Sequence, residues 1–447
     1  MSAKKIISFI VLIIIILLLV FGIFYFLNNK QEPVGNNDTD NSLPIGGSSG
    51  NNGGGNSGNT GGEGNIILQP GEIFDIDGGI VNKQDARLRQ ISIEPISGGS
   101  ISQKLTITEE VVVSEEEGVD DEIIEVEGVE YITYFVQKKN GHILKDSDLE
   151  EEQIKLLNKT IPQTEMSIVN EDFAIIQYLD SAKEVINSFA GIFKEEEIVG
   201  EDEIIETNTI FDGSVFPSNM ESITFSPSTS QLAFLSSNII STNVVVVDLE
   251  SNLEDFTVVY TTPLLDISLE WGSDDYLYLT SKADSRAKGF VKKINPRTGE
   301  DETVISGIYG LTSNVSPDGE YMIISNSLNN NSALYLYDTG TGLISNLSLY
   351  TLPEKCVWSK ENTSIAYCAG QRFASEGNYP QDWYQGKVSF ADILWRIDLE
   401  DLAVEEFYTF PGIEKTFDII SPQLSPDEKR LFFIDKNDST PWVLRLD

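Results

Sequence analysis

The stretch Thr312–Ser327, TSNVSPDGEYMIISNS, decides the fold. A short apolar segment leads into Ser316-Pro317-Asp318-Gly319, and a second segment rich in β-branched and aromatic residues leads out. Pro317 pre-sets φ for a type I turn, Asp318 can bond the local backbone, and Gly319 can take the left-handed position that closes a hairpin. Four further stretches align with this one: SITFSPSTSQLAFLSS from Ser222, SLEWGSDDYLYLTSK from Ser268, KCVWSKENTSIAYCAG from Lys355 and SPQLSPDEKRLFFIDK from Ser421. A looser copy, EMSIVNEDFAIIQYLD, starts at Glu165. In the Lys355 copy Asn362 falls where Gly319 lies, and Asn is the next residue most tolerant of a positive φ.

After each hairpin comes a third strand that ends in turn residues, as in NVVVVDLESN, GFVKKINPRTG, SALYLYDTGTG, DILWRIDLED and PWVLRLD. A fourth, such as FTVVYTT, TVISG or EEFYTF, leads to the next copy. Phe225, Trp271, Val315 and Trp358 recur at 43 to 46 residues. Four strands at that period are one blade of a β-propeller. The chain stops after PWVLRLD, a third strand, which leaves its last sheet one strand short. The segment from Arg87 to Glu94 has the fourth-strand pattern and is expected to complete that sheet, closing the ring and removing an exposed edge. The first full blade then runs from about Ile96 to Pro162. The expected fold is all-β, a seven-bladed propeller within residues 65–447, with six and eight as the neighbouring counts.

These repeats resemble a known family. The S-P-D-G turns before apolar strands, and Asp338 to Gly342 (DTGTG) after a third strand, are similar to TolB-type, WD-like bacterial β-propellers. The same repeat occurs in the propellers of prolyl oligopeptidases and dipeptidyl peptidases. The N-terminal anchor described below, the Gly/Asn-rich linker, LPEKCVWSK and NYPQDWYQG together resemble uncharacterised membrane-anchored propeller proteins of uncultured bacteria. The resemblance spans roughly residues 86–447. It implies a fold rather than an activity, because one fold hosts many functions.

Ile6 to Leu27 is an uninterrupted 22-residue run without charge. At ~1.5 Å per residue it crosses a hydrocarbon core of ~30 Å. It exceeds the apolar region of a secretory signal peptide and ends without an Ala-x-Ala-like cleavage site, so an uncleaved signal anchor is expected. Lys4 and Lys5 precede the span, which places the N-terminus in the cytoplasm and the propeller outside the cell membrane. Residues 31–64 are dominated by Gly, Asn and Ser and form no core. They are expected to act as a flexible tether.

The formal charge of −41 excludes nucleic acid as a partner, since phosphate binding requires clustered Lys and Arg. Much of the excess sits at 109–130 and 194–206, read as solvated acidic loops. His142 is the only histidine and stands far in sequence from both cysteines, leaving no partner for a Ser-His-Asp or Cys-His system. No G-x-S-x-G elbow is present. One His with two Cys is too few for the common zinc sites, and no metal or cofactor is expected. The 71 acids supply many carboxylate pairs for glycoside chemistry, yet the sequence singles out none.

The most distinctive surface feature is an insertion, Gly370 to Asp392, between the second and third strands of one blade. Loops at that position lie on the face that holds the mouth of the central channel. The candidate binding residues are Arg372, Phe373, Tyr379, Asp382, Trp383, Tyr384 and Gln385, because aromatic anchors beside Arg and amides make hot spots and sugar-stacking platforms. The competing expectation is that the aromatics pack the loop onto its own blade. The leading functional reading is a tethered, non-catalytic binding or scaffold module for an envelope protein, peptide or glycan. The alternative is a carboxylate-based glycan hydrolase or lyase with its site at the channel mouth.

Cys356 and Cys368 are the only cysteines and fall on the two strands of one hairpin. They face each other or stand one diagonal step apart, according to the register of the turn. A disulfide is feasible only in the closer arrangement, and otherwise they are two buried thiols.

Overall fold

The computed structural model describes residues 83–447, apart from 113–121, 183, 200–204, 229, 250–252, 254, 274 and 328–330. The expected membrane span at Ile6–Leu27 and the tether at 31–64 lie outside the described residues. Among the described residues no helix is long and apolar enough to cross a membrane.

The Ser316–Gly319 turn forms as its residues dictate. Ser316 N–H donates to the Tyr321 carbonyl at 2.9 Å, Gly319 N–H to the Ser316 carbonyl at 2.9 Å, and Glu320 N–H to the Asp318 carboxylate at 2.9 Å. Gly319 holds φ +74°. In the last blade Glu428 takes the equivalent left-handed position with φ +57°. The Asn362 expectation needs correcting. In that hairpin Ser359 N–H reaches the Ile365 carbonyl, a turn one residue longer than the Ser316–Gly319 turn, and Asn362 is not among the residues with positive φ.

Seven four-stranded antiparallel sheets result, and six of them are ordered by simple succession. Their innermost strands are Ile96–Val112, Thr164–Val169, Met220–Phe225, Ile267–Ser273, Ser313–Val315, Cys356–Trp358 and Ile419–Leu424. Blades 1 to 7 are numbered in that order. Blade 7 takes its outer strand from the start of the described chain, Leu88–Gln90 pairing Thr440–Arg445 with Leu88 opposite Leu444. The ring is therefore closed by backbone hydrogen bonds between its two ends. The middle strands carry continuous apolar runs, as in Val244–Val247, Met322–Ile324 and Leu431–Ile434, which are buried on both faces, so cores form between adjacent blades. One cluster joins Leu334 and Leu336 of blade 5 to Trp358 and Ile397 of blade 6, and another joins Leu232 and Val247 of blade 3 to Phe173 of blade 2.

The described parts of the acidic runs are strands rather than loops. Blade 1 begins with a hairpin of Ile96–Val112 and Glu122–Gln137, and blade 2 ends with one of Val185–Val199 and Ile205–Phe216. Both pair continuously, and each is far longer than the 3- to 9-residue strands of blades 3 to 7. β-Branched residues placed between the acids favour extended pairing, and that preference outweighs their charge. Connections between first and second strands, and between third and fourth, share one end of a blade. Both hairpins consequently extend from the face opposite the insertion.

Candidate functional site

The insertion does not stand free. Pro380 leads into a single helical turn, Gln381–Tyr384, and Trp383, Tyr379 and Phe390 pack with Leu352 into a separate small core. Its polar groups reach four blades. The Gln381 amide accepts from Ser285 N–H of blade 4 at 3.0 Å, and Ser327 of blade 5 donates to the Tyr379 carbonyl. Ser389 donates to Asn437 of blade 7 at 2.9 Å, while Arg372 holds Glu406 of its own blade with two hydrogen bonds of 2.7 Å. The insertion is a strap across one face of the ring.

Beneath the strap lies Lys355, wholly buried, with its Nζ 2.7 Å from Asp392 and 2.5 Å from Asp418. Its ammonium also sits 4.7 Å from the Phe390 ring centroid and 5.2 Å from that of Trp383. Asp418 further accepts from the Trp383 indole at 3.0 Å, from Ser389 at 3.1 Å and from Phe390 N–H at 3.2 Å. A buried charge must be paired and hydrogen-bonded to be tolerated, and this one is.

The residues proposed from sequence therefore separate into two groups. Tyr379 and Trp383 are interior, and Asp382 caps the Asn378 N–H at 2.8 Å. Phe373, at 81% exposure, Arg372, Tyr384 and Gln385 remain at the surface. The Tyr384 hydroxyl donates to Glu354. Thr312 donates to the other oxygen of Glu354 at 3.1 Å.

Tyr384 and Glu354 form one wall of a cavity of about 380 Å³ at the channel mouth. Its other walls carry Glu221, Ser222, Asp266, Ser268, Thr280 and Ser313, with Lys282 as the one cation among the lining residues. Ser222 sits at an irregularity in the innermost strand of blade 3 with φ +51°, and its hydroxyl accepts Leu269 N–H from blade 4 at 2.7 Å. Two residues beyond Ser268, on the same side of its strand, Glu270 accepts Val315 N–H at 2.8 Å. Burial, opposed by that N–H and reinforced by Glu354, pushes Glu270 up to about 8. Burial also raises Glu354, against the bonds from Tyr384 and Thr312. Enclosure of its hydroxyl, followed by the Glu354 charge, raises Tyr384, which stays a neutral donor while its side chain remains about half exposed. At neutral pH Glu270 is thus protonated in the seam with Val315, outside the residues that line the cavity, while Glu354 lines the cavity and is hydrogen-bonded.

Neither Glu270 nor Glu354 was singled out from the sequence. In ISLEWGS, an acid between two buried apolar residues faces the channel by the period of a strand, and that was the available signal. His142 is a half-buried residue just before a blade-1 strand, its N–H bonded to Asn140, and burial and Lys155 lower its pKa. Among the described residues no group of three or more His, Cys, Asp or Glu is placed to hold a metal ion.

Cys356 and Cys368 stand directly opposite each other and are joined in a disulfide. The Ser359–Ile365 hydrogen bond, three residues away on each strand, fixes the alternation. It makes the cysteines a non-hydrogen-bonded pair, the closer of the two kinds.

No family model and no curated protein matches the chain. Solved structures similar to it include TolB from Acinetobacter baumannii, at 13% identity over 76% of this chain and 79% of that one, with a TM-score of 0.38. The β-propeller domain of the Trilobed protease from Pyrococcus furiosus matches at 11% identity over 71% and 92%, with a TM-score of 0.43. An oligogalacturonate lyase in complex with manganese matches at 9% identity over 77% and 98%, with a TM-score of 0.45. At these identities the likeness is one of fold alone.

Proposed function

We propose that the chain is a membrane-tethered, extracytoplasmic, non-catalytic binding module, and that its ligand is an envelope glycan held at the channel mouth. The observation that carries this reading is the cavity closed by Tyr384. Hydroxyl- and carboxylate-bearing residues alternate along its wall with the apolar Leu265, Ile267 and Ala283, and one aromatic side chain stands at its edge. Such a mixed wall exchanges hydrogen bonds with sugar hydroxyls and offers apolar and ring surface to the C–H faces of a sugar. Phe373 on the outer side of the strap extends the aromatic surface. Titrating the full chain with peptidoglycan and polysaccharide fragments is expected to show saturable binding that Glu354→Gln weakens. Binding of peptides alone would replace the glycan with a peptide ligand.

A second reading has one specific observation behind it. Burial pushes Glu270 up to about 8, Glu354 adds to that rise and is itself raised, and a carboxyl group kept protonated near neutrality is what the general acid of glycan cleavage uses. Product formation from any bound glycan, abolished by Glu270→Gln, would turn the binding module into an enzyme.

A further inference from the structure

The Lys355 site joins one cation to two acids in a wholly buried place, with aromatic rings over the ammonium. Lys355 Nζ touches two carboxylates, Asp392 at 2.7 Å and Asp418 at 2.5 Å, and all three side chains are buried. The two acids are held differently. Asp418 is fixed through both oxygens by Trp383, Ser389 and Phe390 N–H. Asp392 accepts Ile419 N–H at 2.6 Å through the oxygen that faces Lys355, while its other oxygen is buried without a hydrogen-bond partner. Aromatic rings of Trp383 and Phe390 cover the ammonium. A Nζ–O contact of this length brings the amine to about 3–3.5 Å from the carboxyl carbon, the separation of a near-attack arrangement.

We propose that Lys355 and Asp392 condense spontaneously into an intramolecular amide, with Asp418 as the proton carrier, so that a covalent bond locks the strap to the start of blade 6. One proton passes from the Lys355 ammonium to the Asp392 carboxylate, leaving an amine in contact with a carboxylic acid. The amine lone pair attacks Asp392 Cγ and forms the C–N bond. Asp418 takes a second proton from nitrogen and delivers it to the departing hydroxyl, so the C–O bond breaks and one water leaves. An ammonium and a carboxylate become an amide and a water, and Asp418 ends as the carboxylate it began.

Three physical features favour the step. Burial, only partly offset by Lys355, pushes Asp392 up to about 6, which makes its acid form accessible. Condensation removes one cation and one anion from surroundings where neither is solvated. Holding the two groups in contact supplies an effective concentration of roughly 10⁵–10⁸ M, against which the cost of forming an amide in dilute water is small.

The test is the intact mass of the full chain, denatured and with its disulfide reduced. The expected chain is about 18 Da lighter than its sequence, the mass of one water, and proteolysis yields a branched peptide joining Lys355 to Asp392. Asp418→Asn, which preserves the shape of the site, is expected to restore the full mass while near-ultraviolet circular dichroism still reports packed Trp383. A wild-type chain of full mass, or a branch that maps to Asp418, overturns the proposal. So does loss of water that persists in Asp418→Asn.

Discussion

The strap at Gly370–Asp392 and the acidic hairpins of blades 1 and 2 both add chain to a ring already closed, at opposite ends of its strands. They are ordered by different physics. The strap has almost no ladder of its own and is held by side chains: an aromatic core, a buried lysine between two aspartates, and hydrogen bonds to four blades. The hairpins are buried where they belong to the ring, as at Phe135, Val136 and Phe189, and farther out they are carried by their backbone ladder. Leu105 and Ile107 on one of them are 76% and 67% exposed. Backbone pairing orders a segment without specifying what it touches, whereas a side-chain core fixes each group. The strap is therefore the element that can place Tyr384 and Glu354 for a ligand.

The largest effect should come from the charge beneath the strap. Asp418→Ala leaves the Trp383 indole without an acceptor and Lys355 with Asp392 alone, and is expected to cost about 3–5 kcal/mol in denaturant unfolding. A loss under about 1 kcal/mol would mean that the strap's order does not depend on its ion core. The disulfide comes next. It closes a loop with a sequence separation of 12, and replacing both cysteines with alanine should cost about 3 kcal/mol, measured as a shift in midpoint without a change in slope.

In the seam with Val315, the folded state holds Glu270 protonated up to about pH 8, while the unfolded chain releases that proton near its ordinary 4.5. Between those values the folded state binds more protons, so this group lowers stability as pH rises. Glu270→Gln should flatten that decline, and an unchanged slope would remove Glu270 as its source. The smallest effect belongs to the hairpins. Leu105→Ser and Ile107→Ser should change stability by about 0.5 kcal/mol or less, because the ladder needs neither side chain. A larger loss would reveal burial of those residues against a partner.

The fold was legible wherever local chemistry repeats. The Ser316–Gly319 turn, the recurrence of Phe225, Trp271, Val315 and Trp358, and the missing last strand were enough to predict blades and closure. The hairpins were misread because the charge of the acid runs was weighed and the Val and Ile between the acids were not. Lys355 was invisible for another reason. It stands beside Cys356 in LPEKCVWSK, yet its burial is created by Asp392 in the strap and Asp418 in the next blade, a contact 63 residues distant in sequence. The candidate-site residues were half legible. The aromatic content of the strap predicted either a ligand platform or a packed loop, and the structure shows Tyr379 and Trp383 packed and Tyr384 presented.

In the proposed function the strap positions Tyr384 against Glu354 to bind a glycan at the channel mouth. Calorimetric titration of the full chain with soluble envelope glycan fragments, compared with Tyr384→Ala, tests it most directly. Loss of one stacking and hydrogen-bonding group in a binding cavity should weaken affinity at least about tenfold, or 1.4 kcal/mol, with the unfolding midpoint nearly unchanged. Equal affinity in the wild type and Tyr384→Ala, or no binding by either, would contradict the account.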